Sequence, residues 1–183
     1  MISSRLSKRY AKALLSIGQE DGNFERYGRE LNDFARLCRE NEQLLQAISS
    51  KVFTLEERKG ILRAILDKSE YSDVIKNFLN LLVDKDRIAG IQEISDYYGR
   101  LTDEVLNIAR AEVITPRPLK EDATESLEKV LESFTSKKIK MEIKQDESLI
   151  GGIVVKVGDL VLDGSIRAQL EGLKESLKRG EYR

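Results

Sequence analysis

The chain holds one thiol, Cys38, and no histidine at all. That combination removes most side-chain chemistry at once. A cysteine nucleophile wants an imidazole to take its proton, and zinc sites of the usual Cys/His kind want several such residues together. Cys38 shares a helical apolar pattern with Phe24, Tyr27, Leu31, Phe34 and Ala35, so it reads as a small buried hydrophobe. With no second cysteine there is no internal disulfide, which fits a reducing compartment. Neither GxxxxGK[ST] nor GxGxxG occurs, so neither common phosphate loop is present. Two glycine-bearing stretches stand out instead, Leu149-Ile-Gly-Gly-Ile153 and Asp163-Gly-Ser-Ile-Arg167. A phosphate cradle would want more glycines and a lysine. The adjacent pair Gly151 and Gly152 suits a bend or a close backbone approach. Arg167, near the start of the last helix, opposes the helix dipole, so it pairs with Asp163 or faces a partner. The remaining acids lie along helical faces beside bases, as on solvated surfaces. No catalytic residue, metal ligand, cofactor or small-molecule substrate is nominated.

These residues must be held by elements, and the pattern changes once along the chain. Ser3 or Ser4 can cap a helix running to about Gln19, which Gly22 and Asn23 break. Further helices are expected over Phe24–Arg39 and Glu42–Ser49. Thr54 opens a fourth, with Glu57 three residues on completing a capping box, and it ends near Lys68. Ser72 opens a fifth, to about Lys85. A sixth runs from Gly90 past Thr102. No strand pattern precedes residue 107, so this half should be a compact bundle of five or six helices. Then Asn107 to Thr115 reads as a strand stopped by Pro116 and Pro118. Lys120 to Phe134 is helical, with Ala123, Leu127, Val130, Leu131 and Phe134 on one stripe. Ile139, Met141 and Ile143 alternate with charges, a half-buried strand. Ile150 to Val157 reads as a central strand. Gly158-Asp159 suits a type II′ turn into Leu160–Leu162. A last helix carries Ile166, Leu170, Leu173 and Leu177, and Gly180 suits its stop. The expected fold is mostly α with a small α/β part: an N-terminal helical bundle over 1–105 and a C-terminal β-α-β-β-β-α domain over 106–183.

The 183 residues are 40% hydrophobic and 34% charged, a globular composition. No apolar run is long enough to span a membrane. The segment MISSRLSKRY lacks the apolar core of a signal peptide, which argues against export. Charge balances in both halves, with 17 bases and 18 acids up to residue 105 and 14 of each after it. That speaks against a nucleic-acid module, although compact α/β domains with hairpins are common in RNA binders. A carboxylate-dependent enzyme is disfavoured because no acid pair stands at a turn.

Two helices have more apolar arc than one packing contact covers. In the first, Leu6, Tyr10, Ala11, Ala13, Leu14, Leu15 and Ile17 span roughly 200°. In the fifth, Val74, Ile75, Phe78, Leu79, Leu81, Leu82 and Val83 span roughly 200° as well. Either both helices sit centrally in the bundle, or together they present a groove to a partner helix. The bases Arg5, Lys8, Arg9 and Lys12 form the polar side of the first helix, a solvated face rather than a membrane anchor.

The segments Arg9-Tyr-Ala-Lys-Ala-Leu14, Asn77-Phe-Leu-Asn-Leu-Leu82 with Arg87, Ser148-Leu-Ile-Gly-Gly-Ile-Val-Val155, Gly158-Asp159, and Asp163-Gly-Ser-Ile-Arg167 with Gln169-Leu170 follow one another in an order that resembles the delta subunit of bacterial F-type ATP synthase, a relative of the mitochondrial oligomycin-sensitivity-conferring protein. The likeness covers nearly the whole chain. It implies a six-helix bundle followed by a smaller α/β domain, in a non-catalytic subunit of the peripheral stalk. It implies that an N-terminal helix of the alpha subunit lies between the first and fifth helices, where the matching residues are Tyr10, Ala11, Ala13, Leu14, Phe78, Leu79 and Leu82. The C-terminal domain would meet the far end of the b subunits, with Gly151, Gly152, Asp163, Gly164 and Arg167 as structural motif residues. It implies no cofactor and no nucleic acid. The place implied is the cytoplasmic face of the bacterial inner membrane, reached only through the complex. On this reading Phe78→Asp abolishes headpiece binding and leaves the bundle folded.

Overall fold

The computed structural model describes residues 4–179. The chain is mostly helical with a small four-stranded mixed sheet, and it divides into two compact units between Asp103 and Glu104. The expected roles of Ser3 and Gly180 lie outside the described residues. Ser4 falls within the first helix rather than ahead of it.

The first unit contains α1 (Ser4–Glu20), α2 (Phe24–Glu40), α3 (Glu42–Ser49), α4 (Leu55–Leu66), α5 (Asp73–Asp84), a 3-10 turn (Ile88–Gly90) and α6 (Ile91–Val105). Each break has a local cause. Gly22 takes φ +74 between α1 and α2, and Asn23 N–H donates to the Asp21 carboxylate at 2.9 Å. Thr54 and Glu57 form the capping box: Glu57 N–H donates to Thr54 Oγ1 at 3.3 Å, and Thr54 N–H to Glu57 Oε2 at 2.8 Å. Ser72 caps α5 through Ile75 N–H at 3.4 Å. Every helix of the unit contributes to one core, which includes Leu14, Leu31, Phe34, Ile48, Leu62 and Tyr98. Cys38 lies in that core, and burial pushes its thiol up to about 11, so it stays protonated and inert at neutral pH.

The second unit contains β1 (Ile108–Thr115), α7 (Glu121–Thr135), β2 (Lys138–Gln145), β3 (Val154–Val157), β4 (Leu160–Asp163) and α8 (Ile166–Arg179). The sheet order is β2-β1-β3-β4. β1 and β2 run parallel, joined by the α7 crossover, and the other neighbours are antiparallel. The register separates two faces. One carries Ala111, Val113, Ile139, Val155 and Leu162, and α7 packs Leu131 onto it. The other carries Arg110, Glu112, Lys140, Glu142 and Lys156.

One expectation needs correcting. The strand expected from Ile150 begins only at Val154, because the backbone of 151–153 bonds to the segment before α8 instead of to the ladder. Of the α7 stripe, Leu131 is buried and Leu127 half-buried, whereas Ala123, Val130 and Phe134 are exposed. The α8 stripe is open throughout: Ile166, Leu170, Leu173 and Leu177 are all at least 41% exposed. Between β3 and β4, Gly158 takes φ +58 while Asp159 does not have positive φ, the combination that a type II′ turn requires.

Candidate functional site

The wide apolar arcs of α1 and α5 resolve into two stripes on each helix. On α1, Ala11, Leu14 and Leu15 face the core. Leu6, Tyr10, Ala13 and Ile17 recur at the same helical spacing, turned about 110° away. Leu6 and Tyr10 are half-buried, Ala13 is exposed, and Ile17 is 46% exposed. On α5, Ile75, Leu79, Leu82 and Val83 are buried. Val74, Phe78 and Leu81 form the second stripe, in which Val74 is half-buried, Phe78 is 8% exposed and Leu81 is 41% exposed.

The two outer stripes are joined by a ring contact. Tyr10 and Phe78 pack edge to face, with centroids 6.4 Å apart and planes at 70°. On the same stripes as this pair, Ile17 of α1 and Leu81 of α5 are exposed. Polar contacts steady α1 from its other side. Ser7 Oγ donates to Glu93 Oε2 at 3.0 Å, and Lys8 and Arg100 both lie over the Tyr97 ring, at 5.4 and 5.3 Å.

Of the seven nominated residues, Tyr10 and Ala13 lie on the open side and Phe78 lies beneath it. Ala11, Leu14, Leu79 and Leu82 are 0% exposed and offer a partner no surface. The seven residues implied by the resemblance mix core with outer stripe, and they leave out Leu6, Ile17, Val74 and Leu81, which lie on the outer stripes. Projection at 100° per residue separates them, because each falls on the outer stripe.

The glycine motif of the second unit is a backbone latch. Gly164 N–H donates to Ile153 O at 2.9 Å, and Ile166 N–H to Gly151 O at 3.0 Å. Gly152 takes φ +83. Ser165 N–H donates to Asp163 Oδ1 at 2.9 Å and holds that carboxylate below its ordinary range. Ser165 Oγ then accepts from Ala168 N–H at 3.1 Å, capping α8. Arg167 pairs along its own helix with Glu171, at 3.4 Å, and not with Asp163. The latch fixes where α8 leaves the sheet.

Two further clefts occur in the first unit. One of about 370 Å³ is lined by Arg29, Glu30, Asp33, Arg36 and Tyr71, but its acids are already bonded to Ser72, Tyr71 and arginines. The other, about 560 Å³, lies among Leu37, Leu44, Ile61 and Ile65. Among the described residues, no group of three His, Cys, Asp or Glu side chains could hold a metal ion, and no helix is long and apolar enough to cross a membrane.

Comparison with known proteins places this geometry in a family. A model of the ATP synthase delta (OSCP) subunit matches residues 6–177. The chain is 43% identical to ATP synthase subunit delta of Desulforapulum autotrophicum over 181 residues, covering 99% of both chains. It is 44% identical to the subunit delta of Desulfatibacillum aliphaticivorans over 181 residues, again with 99% of both covered. A chain in the mitochondrial ATP synthase hexamer of Toxoplasma gondii shares the fold, with a TM-score of 0.69 at 16% identity over 94% of this chain and 97% of that one. The chain therefore belongs to the ATP synthase delta (OSCP) subunit family.

Proposed function

We propose that this chain is a non-catalytic peripheral-stalk subunit of an F-type ATP synthase, joining the alpha subunits of the catalytic headpiece to the b subunits. The observation that carries this reading is the Tyr10–Phe78 contact between α1 and α5, with Ile17 and Leu81 exposed on the same two stripes. An apolar trough of this kind, between two helices, suits the apolar face of a third. On this reading residues 1–105 act as a six-helix bundle that binds an N-terminal helix of the alpha subunit. Residues 106–183 act as a separate α/β domain that meets the C-terminal end of the b subunits. The open α8 stripe supplies that second contact, since four apolar side chains at helical spacing suit a neighbouring helix.

The mechanism is mechanical. A rotor driven by ion flow drags on the headpiece, and torque becomes ATP only where the headpiece is held still. This subunit supplies affinity and stiffness at one joint and takes no part in bond making. Burial of a helix face at ~25 cal/mol per Å2 leaves net affinity after the costs of association. Neither cofactor, nucleic acid nor small-molecule substrate enters the scheme. The subunit reaches the cytoplasmic face of the bacterial inner membrane only through the complex.

The test is calorimetric titration of the full chain with a peptide from the N-terminus of the alpha subunit. One-to-one submicromolar binding, lost in Leu81→Asp with the fold intact, is the expected result. A folded chain that takes up no peptide would remove the groove from this scheme.

A further inference from the structure

We infer that the α1/α5 groove selects a helix bearing acidic residues beside its apolar stripe, and that Arg9 and Lys85 read that charge. The inference rests on the groove reading above and specifies the chemistry of its occupant.

The charge of α1 is one-sided, whereas α5 carries Asp73 and Asp84 beside Lys76. Helix α1 carries Arg5, Lys8, Arg9 and Lys12, and its single acid, Glu20, is its last residue. Lys8 faces α6 over Tyr97. Arg9 is exposed and borders the outer stripe, with its guanidinium carbon 5.8 Å from the centroid of the Tyr10 ring. A cation is thus held beside the Tyr10 ring. On α5, the spacing of Val74, Phe78 and Leu81 continues to Lys85, the exposed C-cap residue, so the groove stripe ends in an ammonium.

The two acids adjoining Lys85 are engaged elsewhere. Asp84 is held by Lys59 at 2.6 Å, and Asp86 by Arg58 at 2.8 Å. Among the described residues, neither Arg9 nor Lys85 has an acidic partner. Glu20 lies three turns along α1 from Arg9, roughly 16 Å away along the axis, beyond a Debye length at ordinary salt. A docked helix with acids flanking its stripe would meet two cations that hold no ion pair. A basic one would meet repulsion. Rim charges of this kind add little affinity and instead fix partner and register.

The experiment titrates the full chain with three synthetic versions of an alpha-subunit N-terminal peptide. They share one apolar stripe, with the flanking positions set to Glu, Gln or Lys. At low salt the Glu peptide should bind roughly fivefold more tightly than the Gln peptide, and the Lys peptide more weakly than either. The gap should close at about 0.5 M salt. The double variant Arg9→Glu/Lys85→Glu alters exposed side chains only, so it should keep its circular dichroism and reverse the order. Equal binding of the Glu and Gln peptides to the wild-type chain, or an order unchanged in the double variant, overturns the inference while leaving the groove standing. If none of the three binds, the groove reading fails and this inference fails with it.

Discussion

A Cβ built on Gly152 falls 2.3 Å from the carbonyl oxygen of Gly164. No side chain fits in that gap, and φ +83 at Gly152 is itself costly for any other residue. Gly152→Ala should therefore destabilise the second unit by about 1–3 kcal/mol from backbone strain, with the clash in addition. Gly158 gives the control, because it has φ +58 and no neighbour within 4 Å of a built Cβ. Gly158→Ala should cost the backbone penalty alone, about 1–3 kcal/mol, with no clash added. Thermal unfolding by circular dichroism compares the two. Equal losses would mean that the latch tolerates a methyl group and does not fix the exit of α8.

Phe78 is a poorer test of binding than its place in the sequence implies. At 8% exposure it is nearly core, so Phe78→Asp buries a carboxylate and should lower the melting temperature as well as binding. Ile17→Asp and Leu81→Asp change side chains that are 46% and 41% exposed. These two should leave the melting temperature within a few degrees of wild type and weaken uptake of the alpha-subunit peptide at least tenfold, an effect of about 1.4 kcal/mol. Wild-type affinity in both would falsify the groove.

Helix α8 gives a separable prediction. Leu170 and Leu173 are 55% and 57% exposed, so Leu170→Ser/Leu173→Ser should not reduce stability measurably. The same double variant should fail to capture a fragment from the C-terminal end of the b subunits while still binding the alpha-subunit peptide. Unchanged capture would show that the b contact lies elsewhere on the second unit.

The Glu30 carboxylate accepts from Ser72 N–H at 2.8 Å, Ser72 Oγ–H at 2.6 Å and Arg26 Nε at 2.7 Å. Burial pushes its pKa up, but these donors outweigh that, and the net shift is downward from 4.5. A folded-state pKa below the unfolded one contributes stability above the unfolded pKa and loses it as pH falls through the folded value. The melting temperature should thus decline below about pH 4.5. Glu30→Gln should be less stable than wild type at pH 7, and the difference should shrink as both are acidified. A constant difference from pH 7 to about pH 3 would assign Glu30 a packing role only.

Local signals are the most legible part of the fold. Thr54 with Glu57, Ser72 ahead of α5 and Gly158-Asp159 each state their structure within four residues, because caps and turns are short-range chemistry. Packing is less legible. The α8 stripe has the same spacing as the buried face of α2, yet one is open and the other covered, because periodicity records amphipathicity and not what lies opposite. The resemblance assigns Leu14 and Leu82 to the groove, and both are fully buried in the core of the first unit. Tyr10 and Phe78 are far apart in sequence, so only the folded chain brings their rings together. The run from Ile150 reads as strand because its apolar content outweighs the glycine pair, whose backbone is bonded to another segment.

Among the described residues, the hydrophobic side chains that the second unit buries are only Ala111, Val113, Leu131, Ile139 and Val155, while Phe134, Ile150, Leu170 and Leu173 stay in water. A partner that binds only the folded form raises stability by mass action. Were such a partner to cover this surface, the half-life of this half of the chain would follow how much of it is present. A copy made in excess, left without its neighbours, would be the first substrate for proteases, so synthesis of unequal amounts of stalk subunits would be corrected by degradation.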